Sequence, residues 1–187
     1  MESGLQRKVL AREDLQTASD SADEFTGPEP MFDLIELLFF AYRDFVGDAD
    51  RLLENFGFGR AHHRVLHFVS RRPGLTIAEL LDILKITKQS LNRVLKELLD
   101  LGYVDSRAGM KDRRQRLLFP TAKGQALALE IALLQSRRFR RVLSELPAGA
   151  HGDAIEFFLA MIDAPDRDKV AALVASGVSV SPRSPER

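Results

Sequence analysis

Apolar residues recur at helical spacing in two short, closely set blocks near the centre of the chain. In the first, Ile77, Leu80, Leu81 and Leu84 predict one buried helix face, with Glu79, Asp82 and Lys85 turned to water. Thr76 followed three residues later by Glu79 is a capping box, in which hydroxyl and carboxylate satisfy each other's backbone N–H, so the helix should begin at Ile77. In the second block Leu91, Val94, Leu95, Leu98 and Leu99 form the buried stripe. Thr87 caps it, and Gly102 supplies a left-handed residue just after its expected end near Leu101. Only Lys85 and Ile86 separate the first helix from Thr87. That is too short for a long antiparallel pair and fits a helix-turn-helix, whose second helix enters the DNA major groove.

After Gly102 the period changes. Tyr103 to Arg107 suit a short strand, Ala108 to Arg114 a polar turn, and Gln115 to Phe119 a returning strand that Pro120 stops for want of a ladder donor. The tip carries Lys111, Arg113 and Arg114, with Arg116 just beyond. A hairpin that projects cations beside a recognition helix is a wing. On the helix itself Lys88, Gln89, Asn92, Arg93 and Lys96 lie opposite the buried stripe, with Ser90 in the first turn, and no acid follows until Glu97 and Asp100. Gln and Asn pair with adenine edges and Arg with guanine, so this face has the groups that base edges and phosphates require.

The flanking segments are also patterned. From Met31 to Val46 the sequence MFDLIELLFFAYRDFV is apolar on more than one side, so a helix there needs partners on two faces. Thr121 to Leu146 predicts a long helix with Leu127, Ile131, Leu134, Val142 and Leu143 among its apolar positions, and Ala154 to Ile162 adds Ile155, Phe157, Phe158 and Ile162. Gly57-Phe58-Gly59 reads as an inter-helix turn. Residues 1–28 are acidic and rich in Ser, Asp and Ala, and SGVSVSPRSPER closes the chain; both read as flexible tails.

Charge sharpens this picture. The formal net charge is zero, yet residues 1–59 hold 5 Lys/Arg against 13 Asp/Glu, residues 60–120 hold 13 against 6, and residues 121–187 hold 9 against 8. A basic centre of +7 is therefore hidden by an acidic flank, and the local field is what meets phosphate. The composition, 187 residues at 45% hydrophobic, allows one good core. Cysteine is absent, which excludes disulfides and thiolate metal sites. The N-terminus lacks a signal peptide's apolar region and no run of about 18 apolar residues occurs, so a cytoplasmic protein with no membrane partner is expected. There is no Gly-rich phosphate loop, cysteine nucleophile, G-x-S-x-G elbow or H-E-x-x-H helix, so no enzyme activity and no cofactor are expected.

The segments LTIAELLDIL and TKQSLNRVLKELLDLGYV, the run Asp112-Arg113-Arg114 and Thr121-Ala122-Lys123-Gly124 together resemble the MarR family of winged helix-turn-helix transcription regulators. The likeness spans roughly residues 31 to 162. It implies a mainly α fold with a small β-hairpin wing, flanked by N- and C-terminal dimerisation helices. Residues 29–163 would be that domain, with a DNA-binding core at about 60–120 and dimerisation helices at about 31–54 and 121–162; residues 164–187 would be a short helix and tail. Carried over by position, Arg114 becomes the arginine of the wing that enters the minor groove and Asp112 its organiser. A homodimer would set two recognition helices about 34 to 36 Å apart on a palindromic duplex site. Thiol-based peroxide sensing, used by some members, is excluded by the lack of cysteine. The resemblance also implies a small-molecule effector pocket near the helix RAHHRVLHFVSRR, where Tyr42, His63 and His67 could line it, the histidines titrating near neutrality.

His63 and His67 are four apart, a spacing that can place two imidazoles on one metal, but no cysteine or obvious third carboxylate joins them, and no metal site is expected. Arg137, Arg138, Arg140 and Arg141 lie well after the wing and read as a solvated face. The competing functions are a winged-helix module that binds protein, which needs no basic face, and a nonspecific architectural DNA-binding protein.

Overall fold

Each of the helices predicted at the centre of the chain starts at a side-chain cap. In the computed structural model, which describes residues 29–109 and 114–177, Thr76 Oγ1 accepts the Glu79 N–H at 3.2 Å and Glu79 Oε2 accepts the Thr76 N–H at 2.8 Å. The chain divides into two units, residues 1–41 and 42–187. The described part of the first is the opening of helix α1 (Phe32–Glu54). Its apolar side chains are exposed all round, Phe32 by 63% and Phe39 by 67%, as the two-sided pattern anticipates.

The second unit contains the rest of α1, then α2 (Arg60–Arg71), β1 (Leu75–Thr76), α3 (Ile77–Leu84), α4 (Lys88–Asp100), β2 (Val104–Ala108), β3 (Arg116–Pro120), α5 (Ala122–Ser144), α6 (Ala150–Ala160) and α7 (Ala164–Ala175). Its core joins Leu53 of α1 and Val65, Leu66 and Val69 of α2 to Leu80 and Leu84 of α3. Leu91, Val94, Leu95 and Leu98 of α4, Val104 and Leu118 of the sheet, and Leu127 and Ile131 of α5 belong to it as well. All of the stripe residues predicted for α3 and α4 are buried or packed against this core.

Three local predictions are corrected. Pro120 does not stop the returning strand short; it is the last residue of β3, paired with Val104. The missing donor costs nothing there, because the next N–H, that of Thr121, reaches the Tyr103 carbonyl at 3.1 Å. Both strands are accordingly displaced by one residue from their predicted bounds. The sheet also has a third strand: β1 pairs antiparallel with β3, Leu75 opposite Leu118, giving the order β1-β3-β2. Lys85, predicted simply as a turn residue, ends α3 in the left-handed region at φ 50°, its N–H bonded to the Leu81 carbonyl at 2.9 Å. A non-glycine residue in that conformation costs roughly 1 to 2 kcal/mol, and here it lets the second helix begin within three residues.

Helices α6 and α7 follow the long helix. Helix α6 begins four residues earlier than the predicted Ala154, and Ile155, Phe157 and Phe158 on it are exposed. Helix α7 is tied to α3 by charge, Lys169 to Asp82 and Lys85 to Asp166. The acidic tail predicted for residues 1–28 and the last ten residues of the chain lie outside the described residues. Among the described residues no helix is long and apolar enough to cross a membrane.

Candidate nucleic-acid interface

The candidate reading helix α4 is held at both ends and along its back. At its start Thr87 Oγ1 accepts the Ser90 N–H at 3.2 Å and donates its own hydrogen to Ser90 Oγ at 2.9 Å. This orders the first turn and occupies part of Ser90's hydrogen-bonding capacity. Along its back, Leu91 and Leu98 are fully buried. Lys88, Gln89, Asn92, Arg93 and Lys96 all face solvent. Lys96 is not unpaired, however: its ammonium meets Asp100 at 2.6 Å, one turn along, and that hydrogen bond raises its pKa.

At the far end of α4 the chain turns at Gly102, whose φ is 71°. Here the Thr121-Gly124 run grips three successive carbonyls. Thr121 Oγ1 donates to the Gly102 carbonyl at 2.7 Å, Lys123 Nζ to that of Leu101 at 3.2 Å, and the Thr121 N–H to that of Tyr103. Thr121 Oγ1 also accepts the Gly124 N–H at 3.1 Å, which caps α5. Gly124 is required for a different reason: a Cβ built there would lie 1.9 Å from the Tyr103 carbonyl oxygen. The start of α5 is therefore pressed directly onto the end of the reading helix. The ammonium of Lys123 also sits 4.1 Å from the centre of the Tyr103 ring.

A second brace comes from α2, and the sequence reading missed it. His62 Nδ1 accepts the Gly59 N–H at 3.1 Å, so the ring hydrogen sits on Nε2 and is donated to Glu97 Oε2 at 2.7 Å. The imidazole stacks on Phe58 at 4.7 Å, and Phe58 meets Tyr103 edge-on at 4.9 Å. Glu97, the first acid on the exposed face, is thereby held by a side chain 35 residues away. The only hint in the sequence was the aromatic residue between Gly57 and Gly59.

The base of the wing joins β2 to β3. Gly109 N–H donates to the Gln115 carbonyl at 3.0 Å, joining the two strands, and the Arg107 guanidinium lies over the Phe119 ring at 4.6 Å. Arg114 is exposed at the return of the turn. Lys111, Asp112 and Arg113 lie outside the described residues.

The histidines proposed for an effector pocket depart from expectation. His67 is pushed down to about 4, first by burial and then by the charges of His63, Arg71 and Arg72. Burial also lowers His63, against an opposing pull from Asp50. Titration near neutrality is therefore not what this environment gives, because a half-buried imidazole among cations resists a second proton. The rings of His63 and His67 meet at right angles, 6.3 Å apart. Tyr42 is 57% exposed, and no hydrogen bond or ring contact joins it to either histidine among the described residues. No group of three potential metal ligands occurs among the described residues.

A capped helix-turn-helix, preceded by a short strand and followed by a strand pair that takes that strand into its sheet, defines a winged helix protein. Residues 56–115 match the sequence model of the MarR family. The HTH-type transcriptional regulator PetP of Rhodobacter capsulatus is 52% identical over 106 residues, covering 57% of this chain and 64% of that protein. Among solved structures, the Mycobacterium tuberculosis MarR family protein Rv2887 in complex with p-aminosalicylic acid is 26% identical. It has a TM-score of 0.50 and covers 70% of this chain and 96% of its own. The MepR–DNA complex of Staphylococcus aureus has the same fold at 17% identity, with a TM-score of 0.58, covering 71% of this chain and 97% of its own. Over this central stretch the chain is similar to transcription regulators of the MarR family. The matched stretch spans less than two thirds of the length of the curated relatives.

Proposed function

We propose that this protein is a homodimeric, sequence-specific DNA-binding transcription regulator, a repressor of MarR type that a small molecule releases. The observation that carries the reading is the solvent face of α4. Gln89, Asn92 and Arg93 stand free of acids on a helix fixed by the Thr87 cap, the His62–Glu97 bond and the Thr121–Gly124 grip. Fixing the helix matters because base-edge hydrogen bonds tolerate little misplacement. In this reading Gln89, Ser90, Asn92 and Arg93 test base edges while Lys88 meets phosphate. Lys96 also meets phosphate, exchanging Asp100 for it. Lys111, Asp112, Arg113 and Arg114 form the wing's grip on the minor groove. MepR, named in its structure with DNA, and Rv2887, named with p-aminosalicylic acid, support the two halves of the reading by kinship of fold. Tyr42, His63 and His67 remain the proposed lining of an effector pocket, acting as neutral rings rather than as titrating groups.

The dimer rests on exposed apolar helix surface. Phe32 and Phe39 of α1 and Phe157 and Phe158 of α6 are each more than half exposed. Large apolar patches of this kind mark interaction surfaces.

Selection of bound fragments from genomic DNA, followed by titration at two salt concentrations, tests the proposal. The Arg93→Ala variant should lose about 1 to 3 kcal/mol of discrimination at one base pair. Lys111→Ala should weaken all sequences alike and reduce the salt slope by about one. A salt-sensitive complex with no sequence preference would instead indicate architectural binding, and no complex at all would favour a protein-binding module.

A further inference from the structure

The sequence reading assigned Arg137, Arg138, Arg140 and Arg141 to a solvated face, and for one of them the structure says otherwise. Leu134, Arg137, Arg138 and Arg141 recur at helical spacing along one side of α5, and with Asp48 of α1 they line a cleft of about 300 Å³. Arg138 is half-buried there. Its Nε and Nη2 both donate to Asp48 Oδ2, at 3.0 and 2.7 Å, across 90 residues of sequence. The other oxygen of Asp48 accepts from Arg51. One carboxylate thus serves two guanidinium groups, and among the described residues it is the only acid lining the cleft. Arg137 and Arg141, one turn apart, have no carboxylate within ion-pair distance among the described residues.

We propose that this cleft is a binding site for small organic anions carrying at least two carboxylates. Three features of its chemistry point to that class. Guanidinium groups pair well with carboxylates, and the cleft already holds one such pair, Arg138 Nε and Nη2 both donating to a single oxygen of Asp48. Arg137 and Arg141 are like charges at i and i+4, an arrangement that works against the helix unless an anion lies between them. The volume is at the small end of ligand pockets, which suits a compact acid and not an extended chain. A dicarboxylate spans both needs: one end bridges Arg137 and Arg141, and the other competes with Asp48 for Arg138. The site lies on the same helix whose first turn grips the end of the reading helix, so an occupant would act on a rigid element that touches the DNA-reading surface.

Isothermal titration calorimetry of the full chain, without DNA, tests this independently of any DNA-binding role. Succinate, glutarate and citrate are the probes, with succinamide as the uncharged control. At least one of the acids should give a saturable heat that succinamide does not. Arg137→Gln combined with Arg141→Gln should weaken that binding at least tenfold. Asp48→Asn should act in the opposite direction and tighten it, because it removes the competing carboxylate. That opposite sign separates an anion site from general damage to the helix. The proposal is overturned if none of the three acids gives saturable heat, if succinamide binds as well as they do, or if Asp48→Asn weakens binding as the double variant does.

Discussion

The junction between the reading helix and α5, and the exposed apolar helices α1 and α6, are opposites in how they satisfy their own side chains. At the junction every group meets another group of the same chain: three consecutive carbonyls at Leu101, Gly102 and Tyr103 each receive a donor from Thr121 or Lys123, and Gly124 lets the backbones touch. Along the start of α1 the reverse holds, with phenylalanines at 63% and 67% exposure. Polar satisfaction and close packing within one chain define a piece that folds alone. Apolar surface left in water defines a piece that is completed by something else.

The sharpest way to break the first half of that comparison is Gly124→Ala. The added methyl has to displace the Tyr103 backbone and not a flexible side chain, so the cost should be about 3 kcal/mol or more. It should appear as a lowered melting temperature, independent of protein concentration. A melting temperature within a degree or two of the parent would show that the contact is not as tight as it looks.

The second half is attacked by Phe39→Asp and by Phe157→Asp. If these faces are dimer surfaces, each substitution should weaken self-association about 100-fold, equivalent to about 2.7 kcal/mol, in sedimentation equilibrium. Helix content should hold, since neither ring belongs to the core. An unchanged dimer, or a parent protein that is monomeric at every concentration, would remove α1 and α6 from the interface.

A smaller effect sharpens the contrast from inside the folded unit. Well above pH 6.5 His67 is neutral in both folded and unfolded chains and adds no pH dependence. As pH falls from 6.5 towards 4 the unfolded chain takes up a proton that the buried ring resists, so stability declines through that window and levels off below it. The full shift sets an upper limit, and partial solvent access brings the expected loss to about 2 kcal/mol. His63 is displaced in the same direction. Urea unfolding at pH 7, 6, 5 and 4 should show the decline, and His67→Gln should flatten most of it. An identical pH profile for the variant would place the titrating group elsewhere.

Much of the local structure of α3 and α4 was legible because it is written in short-range code. Thr76 with Glu79, and Thr87 with Ser90, act within a single turn, and the stripe from Leu91 to Leu98 repeats at the period of the helix it forms. The Thr121-x-x-Gly124 run was visible too, though only as a likeness; its grip on three carbonyls needed coordinates. The sign of the histidine environment was hidden, because its main cause, burial, is not a property of local spacing, even though Arg71 stands one helical turn from His67.

By itself the sequence determined where the two central helices start, which side of each is apolar, and that a basic centre is flanked by an acidic N-terminal stretch. These follow from caps, periodicity and charge, all of which act over a few residues or simply add. The tertiary structure decided what lies far apart in the chain and close in space: Glu97 held by His62, Arg138 paired with Asp48, β1 placed against β3, and Pro120 accommodated at the end of a strand. Such pairings depend on how the core closes, and no local pattern carries that information.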